Sequence, residues 1–154
     1  MDDGIATALV PCLIFRVGSR LCALPLDGVI ETLRPLPLDP LPAAPDFVRG
    51  LSLIRGAPTP VVDAAALFGE ADAAPTRLIT VAAGERTVAL AVAGAIDIRT
   101  IERAALHALP PLLRNAVGTV VQALGVLDAA LLLLLDGAHI VPDAVFDTLA
   151  EVHL

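Results

Sequence analysis

The second half of the chain repeats the first, which restricts the fold to two copies of one small unit. Setting Gly84 on Gly18, a shift of 66 residues (84 − 18), places Ile79 on Leu13, Val81 on Phe15 and Val88 on Cys22. The same shift places Leu90 on Leu24, Val92 on Leu26, Gly94 on Gly28, Ile96 on Ile30 and Asp97 on Glu31, without a gap. Farther along, Val117-Gly118 echoes Arg49-Gly50, and Leu134-Leu135-Asp136 echoes Val61-Val62-Asp63 after a short insertion. Agreement of apolar positions, turn glycines and acids across several elements in order favours duplication over chance alternation.

Each copy reads as short strands. Leu13 to Val17 and Arg20 to Leu26 flank Gly18-Ser19, the pattern of a hairpin, and Pro25 predicts that the second strand ends or lies at an edge there. Asp27-Gly28 turns into a third strand, Val29 to Leu33. Residues 35–45 hold Pro35, Pro37, Pro40, Pro42 and Pro45, too few amide donors for helix or ladder, so an extended loop is expected. Phe47 to Ile54 and Thr59 to Val62 surround a tight Arg55-Gly56 turn, and Asp63 is placed to cap a short helix, Ala64 to Phe68, that Gly69 stops. Residues 70–75 read as a linker. Five strands per half predict an all-β protein of two small barrels, since closing a sheet removes its exposed edges. The first barrel is expected over about 11–70 and the second over about 76–141, sharing a core within one domain, 1–154. Val141, Val145, Phe146, Leu149 and Val152 recur at helical spacing behind Asp143, which predicts a C-terminal amphipathic helix over about 143–153 packed on the barrels.

Composition narrows the function. Hydrophobic residues make up 56% of the chain, enough for a large core, and this raises the question of a membrane span. The richest stretch, Ala123 to Val141, is broken by Asp128, Asp136, Gly137 and His139, so no transmembrane helix is predicted. The start, Met1-Asp2-Asp3, carries acid where a signal peptide carries basic residues. The hairpin places Cys22 opposite Phe15 and leaves Cys12 beyond disulfide reach, so both cysteines are expected as reduced core fillers, in keeping with a cytoplasmic setting. A net charge of −7, 3% aromatic residues and no Trp or Tyr argue against a nucleic-acid surface.

Catalysis needs convergent groups, and few are offered. His107, His139 and His153 stand alone, without a neighbour at ligand spacing, so no metal is expected. Ser19 and Ser52 are the only serines, neither in a nucleophile elbow, and no phosphate-cradling glycine loop exists. Asp63 and Asp136, at equivalent repeat positions, read as caps. No enzyme and no cofactor are expected. What stands out is polar: Glu31 after an apolar strand, and Arg49, Arg55 and their neighbours Gly50 and Gly56 around the next hairpin. These residues are either solvated turn positions or a binding rim, because arginine beside glycine presents a forked donor on exposed backbone.

The order of these features resembles the CheW-like family across nearly the whole chain. The residues carrying the resemblance are Leu13 to Phe15 with Gly18, Leu24-Pro25-Leu26, Val29-Ile30-Glu31, Pro42 to Pro45, Phe47-Val48-Arg49-Gly50, Ile54-Arg55-Gly56 and Pro60-Val61-Val62-Asp63. It continues through Leu90-Ala91-Val92, the Pro110 region, Val117-Gly118 and Leu134-Leu135-Asp136. The resemblance implies two pseudo-symmetric five-stranded SH3-like barrels and a non-catalytic adaptor in chemotaxis or a related chemosensory pathway. Its implied partners are a methyl-accepting chemoreceptor and a CheA-type histidine kinase. Receptor contacts would fall on Val29, Glu31 and Arg55, with Arg49, Gly50 and Gly56 as further rim positions. The chain departs from the family pattern at Leu53, Ala64 and Ala93. An auxiliary surface-sensing or pilus pathway therefore fits as well as flagellar chemotaxis. A structural paralogue without kinase control, a small-molecule binder using the inter-barrel cleft, and self-association through exposed apolar strands are the alternatives.

Overall fold

A computed structural model describes residues 8–70, 74–94, 96–111, 120–141 and 146–147. The first half forms β1 (Leu9–Val17), β2 (Arg20–Pro25), β3 (Val29–Leu33), β4 (Val48–Ile54) and β5 (Ala57–Asp63). The second forms β6 (Arg77–Ala83), β7 (Arg86–Val92), β8 (Ile96–Glu102), the two-residue β9 (His107–Ala108), β10 (Val121–Leu127) and β11 (Ala130–Leu135). The repeat holds to the register: Phe15 faces Cys22 in the first hairpin, and Val81 faces Val88 in the second.

The strands do not stay within their own half. One sheet runs β8-β1-β2-β11-β10-β9 and the other β3-β6-β7-β5-β4. Each half therefore lends its opening hairpin to a sheet otherwise built from the other half. The two sheets cut across the barrel spans expected from the sequence, 11–70 and 76–141, because each takes strands from both. The exchange is made by two parallel pairings, β11 on β2 and β5 on β7, and two antiparallel ones, β1 on β8 and β3 on β6.

Alternation of side chains explains why the lent hairpins are so apolar. Successive residues of a strand point to opposite faces. On β1 and β2, Leu13, Phe15, Val17, Cys22 and Leu24 enter a large central core, while Cys12, Ile14 and Ala23 enter a smaller cluster with Ile101, Leu132 and Leu134. On β6 and β7, Ile79, Val81, Val88, Leu90 and Val92 enter the same central core, while Leu78, Ala89 and Ala91 join Ile54 and Val61. Both hairpins are buried on both faces, so they read as continuous hydrophobic runs. Full burial of a large aliphatic or aromatic side chain contributes about 1.5–3 kcal/mol, and Phe15, Leu24, Ile79, Leu90 and Leu135 are each no more than 2% exposed. Cys12 and Cys22 are free and buried, and desolvation pushes the Cys22 thiol up to about 12.

Asp63 caps the one-turn helix Ala64–Leu67 by accepting from the amides of Ala65 and Ala66. The loop over 35–45 lacks regular structure and is tied down at two points. Asp39 exchanges two 2.8 Å backbone hydrogen bonds with Leu51, and the Ser52 hydroxyl donates to the Pro37 carbonyl. The apolar stretch Ala123 to Val141 is the β10–β11 hairpin and its exit, and no described helix is long and apolar enough to cross a membrane. Of the C-terminal helix expected over 143–153, only Phe146 and Asp147 are described. Both are helical, and Phe146 packs against the central core.

One repeat assignment is corrected. At a shift of 73 (128 − 55), Val48–Ile54 falls on Val121–Leu127, and the register slip at Val48/Gly50 falls on the slip at Val121/Ala123. The twin of Arg49-Gly50 is thus Gln122-Ala123, whereas Val117-Gly118 lies outside the described residues. Gly50 is glycine for a local reason. It is buried at φ 146°, and a Cβ there would overlap the Asp39 carbonyl oxygen. Replacing Gly50 with Ala is expected to cost ~2 kcal/mol of unfolding free energy by forcing the loop off β4. Urea denaturation of the G50A variant checks this, with Gly56→Ala, where a Cβ meets nothing, as a strain-only control.

Candidate functional site

β3 and β4 stand at opposite ends of their sheet, yet Glu31 of β3 touches Arg55 in the β4–β5 turn. The sheet therefore curls on itself, and this ion pair crosses its seam. Arg55 Nη2 donates to Glu31 Oε1 at 2.6 Å and Nε donates to Oε2 at 3.0 Å, the bidentate geometry in which a planar guanidinium is held most firmly. The hydrogen bond from Arg55, followed by its charge, holds the Glu31 carboxyl below the usual carboxylate range, and the same pairing raises Arg55. The Arg55 side chain is 76% exposed against 23% for Glu31, so the guanidinium forms the outward face of the pair.

Local backbone places both groups. Arg55 (φ 54°) and Gly56 (φ 79°) are both left-handed, as a two-residue hairpin turn with the right twist requires. Arginine is strained there, because its Cβ crowds the carbonyl in that region. On β3 the pairing to β6 slips by one residue between Val29, opposite Val81, and Glu31, opposite Thr80. The extra residue, Ile30, is 54% exposed, and Leu53 at the end of β4 is 70% exposed. Val29 is half-buried against the central core.

Of the expected site residues, the structure joins Glu31 and Arg55, with Val29 on the same strand as Glu31 and Gly56 within the turn. It does not gather Arg49 or Gly50 with them. Arg49 lies at the far end of β4, about 20 Å along the strand from Arg55, and donates to the Asp63 carboxylate at 3.2 Å. Gly50 is buried beneath the proline loop. Ile30, Leu53 and Thr80 escaped the sequence reading. Leu53 carried a signal, as a departure from the family pattern on a strand tip. Thr80 carried none.

The other seam repeats the arrangement with the charges exchanged. Asp128 and Ala129, both at positive φ, form the β10–β11 turn, and Asp128 receives Arg99 of β8 at 3.1 and 3.5 Å. The Arg55-Gly56 turn therefore has a structural twin that lacks both its glycine and its sign of charge. Beside the seams, Leu13, Thr32, Thr76, Arg77, Ile96 and Ile98 line an open groove of about 600 Å³ where β3 and β6 of one sheet approach β1 and β8 of the other. Among the described residues, no three His, Cys, Asp or Glu side chains converge as a metal site.

Two curled sheets on a common core, each closed by a turn-to-strand ion pair, define a protein of paired SH3-like barrels. A CheW-like domain model matches residues 11–145, and the chain belongs to that family. It is 35% identical over 100 residues to "Protein FrzA" of Myxococcus xanthus, covering 63% of this chain and 61% of that protein. It is also 35% identical over 92 residues to "Chemotaxis protein CheW" of Rhizobium meliloti (strain 1021), covering 58% and 59%. The matches span about three-fifths of the length of these curated relatives. Among solved structures, the scaffolding protein TtCheW of Thermoanaerobacter tengcongensis has the same fold, with a TM-score of 0.74 at 21% identity over 82% of this chain and 88% of that one.

Because Arg55 depresses the folded-state pKa of Glu31, the stability this carboxylate contributes is present above its unfolded pKa and lost as pH falls through the folded value. Titration of the Glu31 carboxyl by NMR is expected to show a midpoint below the ordinary glutamate value. Arg55→Ala should return it to that value.

Proposed function

We propose that this chain is a non-catalytic adaptor that couples a chemoreceptor to a CheA-type histidine kinase in the cytoplasm. The observation carrying this reading is the Glu31–Arg55 pair: a rigid bidentate clamp whose guanidinium faces solvent, flanked by the exposed apolar residues Ile30 and Leu53. An exposed ion pair adds little to stability, whereas an oriented arginine beside apolar surface is the composition of an interface centre. Family membership supports the partner class, and the relatives named for chemotaxis and scaffolding support the role. Receptor contact is assigned to Val29, Glu31 and Arg55. Gly56 serves by permitting the turn. Gly50 serves the approach of the proline loop to β4, and Arg49 pairs with the helix-capping Asp63.

Arg55→Glu is expected to weaken capture of a soluble receptor-tip fragment at least tenfold, about 1.4 kcal/mol, while leaving the melting temperature within a degree or two. Pull-down or calorimetric titration beside a thermal melt measures both. Retained binding, or a loss of stability that parallels the loss of binding, removes Arg55 from the contact surface. Reconstitution with receptor and kinase tests the coupling itself. A phosphorylation rate that the protein does not change would favour a purely structural array component.

A further inference from the structure

We infer that Thr80 is a positioning residue for Glu31: its buried hydroxyl pins the β3 bulge and so aims the carboxylate across the seam at Arg55. Thr80 lies on β6 opposite Glu31, where the ladder slips by one residue, and is 1% exposed. Its Oγ1 accepts from the Glu31 amide at 3.1 Å and donates to the Glu31 carbonyl at 3.2 Å. A bulge takes backbone groups out of the regular ladder, and buried backbone groups must find other partners. Here one hydroxyl serves both groups of the residue whose side chain faces the seam. A buried hydroxyl is costly unless it is bonded, and this one spends both its donor and its acceptor capacity on Glu31.

The duplicated half acts as an internal control. At the shift of 66, the twin of Thr80 is Ile14 (80 − 66), which has no hydroxyl, and it stands opposite Asp97, the twin of Glu31. From Ile96 to Glu102, β8 pairs with β1 without a slip. Asp97 there turns back to accept from the Ile98 amide at 2.8 Å, and Arg99, two residues farther on, crosses to the turn. On one scaffold, the threonine copy has a bulge and sends the acid across the seam. The isoleucine copy is unbulged over its described strand and sends a different residue. What Thr80 positions is the ion pair, and its bearing on receptor capture rests on the function proposed above.

The test is Thr80→Val, which keeps the shape and removes the hydroxyl, with Thr80→Ser as the conservative rescue. By NMR, T80V is expected to raise the Glu31 carboxyl pKa toward the ordinary glutamate value and to speed exchange of the Glu31 amide. T80S should keep both as in the unaltered protein. A Glu31 pKa as low in T80V as in the unaltered chain overturns the inference. Should T80V not fold, amide exchange in the unaltered protein decides. Protection of the Glu31 amide comparable to the neighbouring ladder upholds the inference, and rapid exchange overturns it. Binding of a receptor-tip fragment separates the two readings. A loss on the order of tenfold in T80V, restored in T80S, supports both. A displaced Glu31 pKa with unchanged binding upholds the role of Thr80 and removes the Glu31–Arg55 pair from the receptor surface.

Discussion

Everything in this fold depends on four strands that are buried on both faces. β1 and β2 from the first half, and β6 and β7 from the second, send alternate residues into one central core and the others into the interiors of their own sheets. A strand with one wet face can be peeled away at the cost of a single layer of contacts. These strands cannot, because the same backbone carries two cores. Exchange of hairpins between halves compounds this, since β2 holds β11 and β7 holds β5. The duplicated halves are therefore interlocked into one unit, and the high apolar content of the chain follows from that burial.

Given this frame, the seams are where the two copies were free to diverge. Among the described residues no ladder joins the end strands of either sheet, and in each a side chain on an edge strand bonds to a hairpin turn. Apart from Thr80, whose twin is Ile14, the buried positions of the paired hairpins stay apolar in both copies, because a changed residue there would be felt by two layers. The seams obey only its geometry: Glu31 to Arg55 in one, Arg99 to Asp128 in the other. Solvent screens both pairs, so their polarity could invert at little cost to stability. The charge displayed at the seams can therefore change without disturbing the fold.

The legibility of the sequence follows the same division. The opening hairpins, the Asp63 cap and the loop of prolines were readable because local chemistry specifies each: a turn glycine, a capping carboxylate, missing amide donors. The second-half twin of the Arg55-Gly56 turn was hidden, because Asp128-Ala129 reaches positive φ with no glycine to mark it. Gly118 looked like the counterpart of Gly50, yet Gly50 is demanded by the approach of the Asp39 backbone from the proline loop, which no turn signal marks. Arg49 and Arg55 looked like one cluster, although a strand of extended residues holds them apart.

By itself the sequence determined the repeat, the strand register within each hairpin, the burial of both cysteines, and the residue types at the site. These depend on period, turn chemistry and hydropathy, all of which act over a few residues. Only the tertiary structure decided that the sheets exchange strands, that Glu31 meets Arg55 rather than solvent, and that Thr80 underlies the meeting. Pairing between halves is chosen by which faces can be buried together, and that choice belongs to the assembled core rather than to any segment of it.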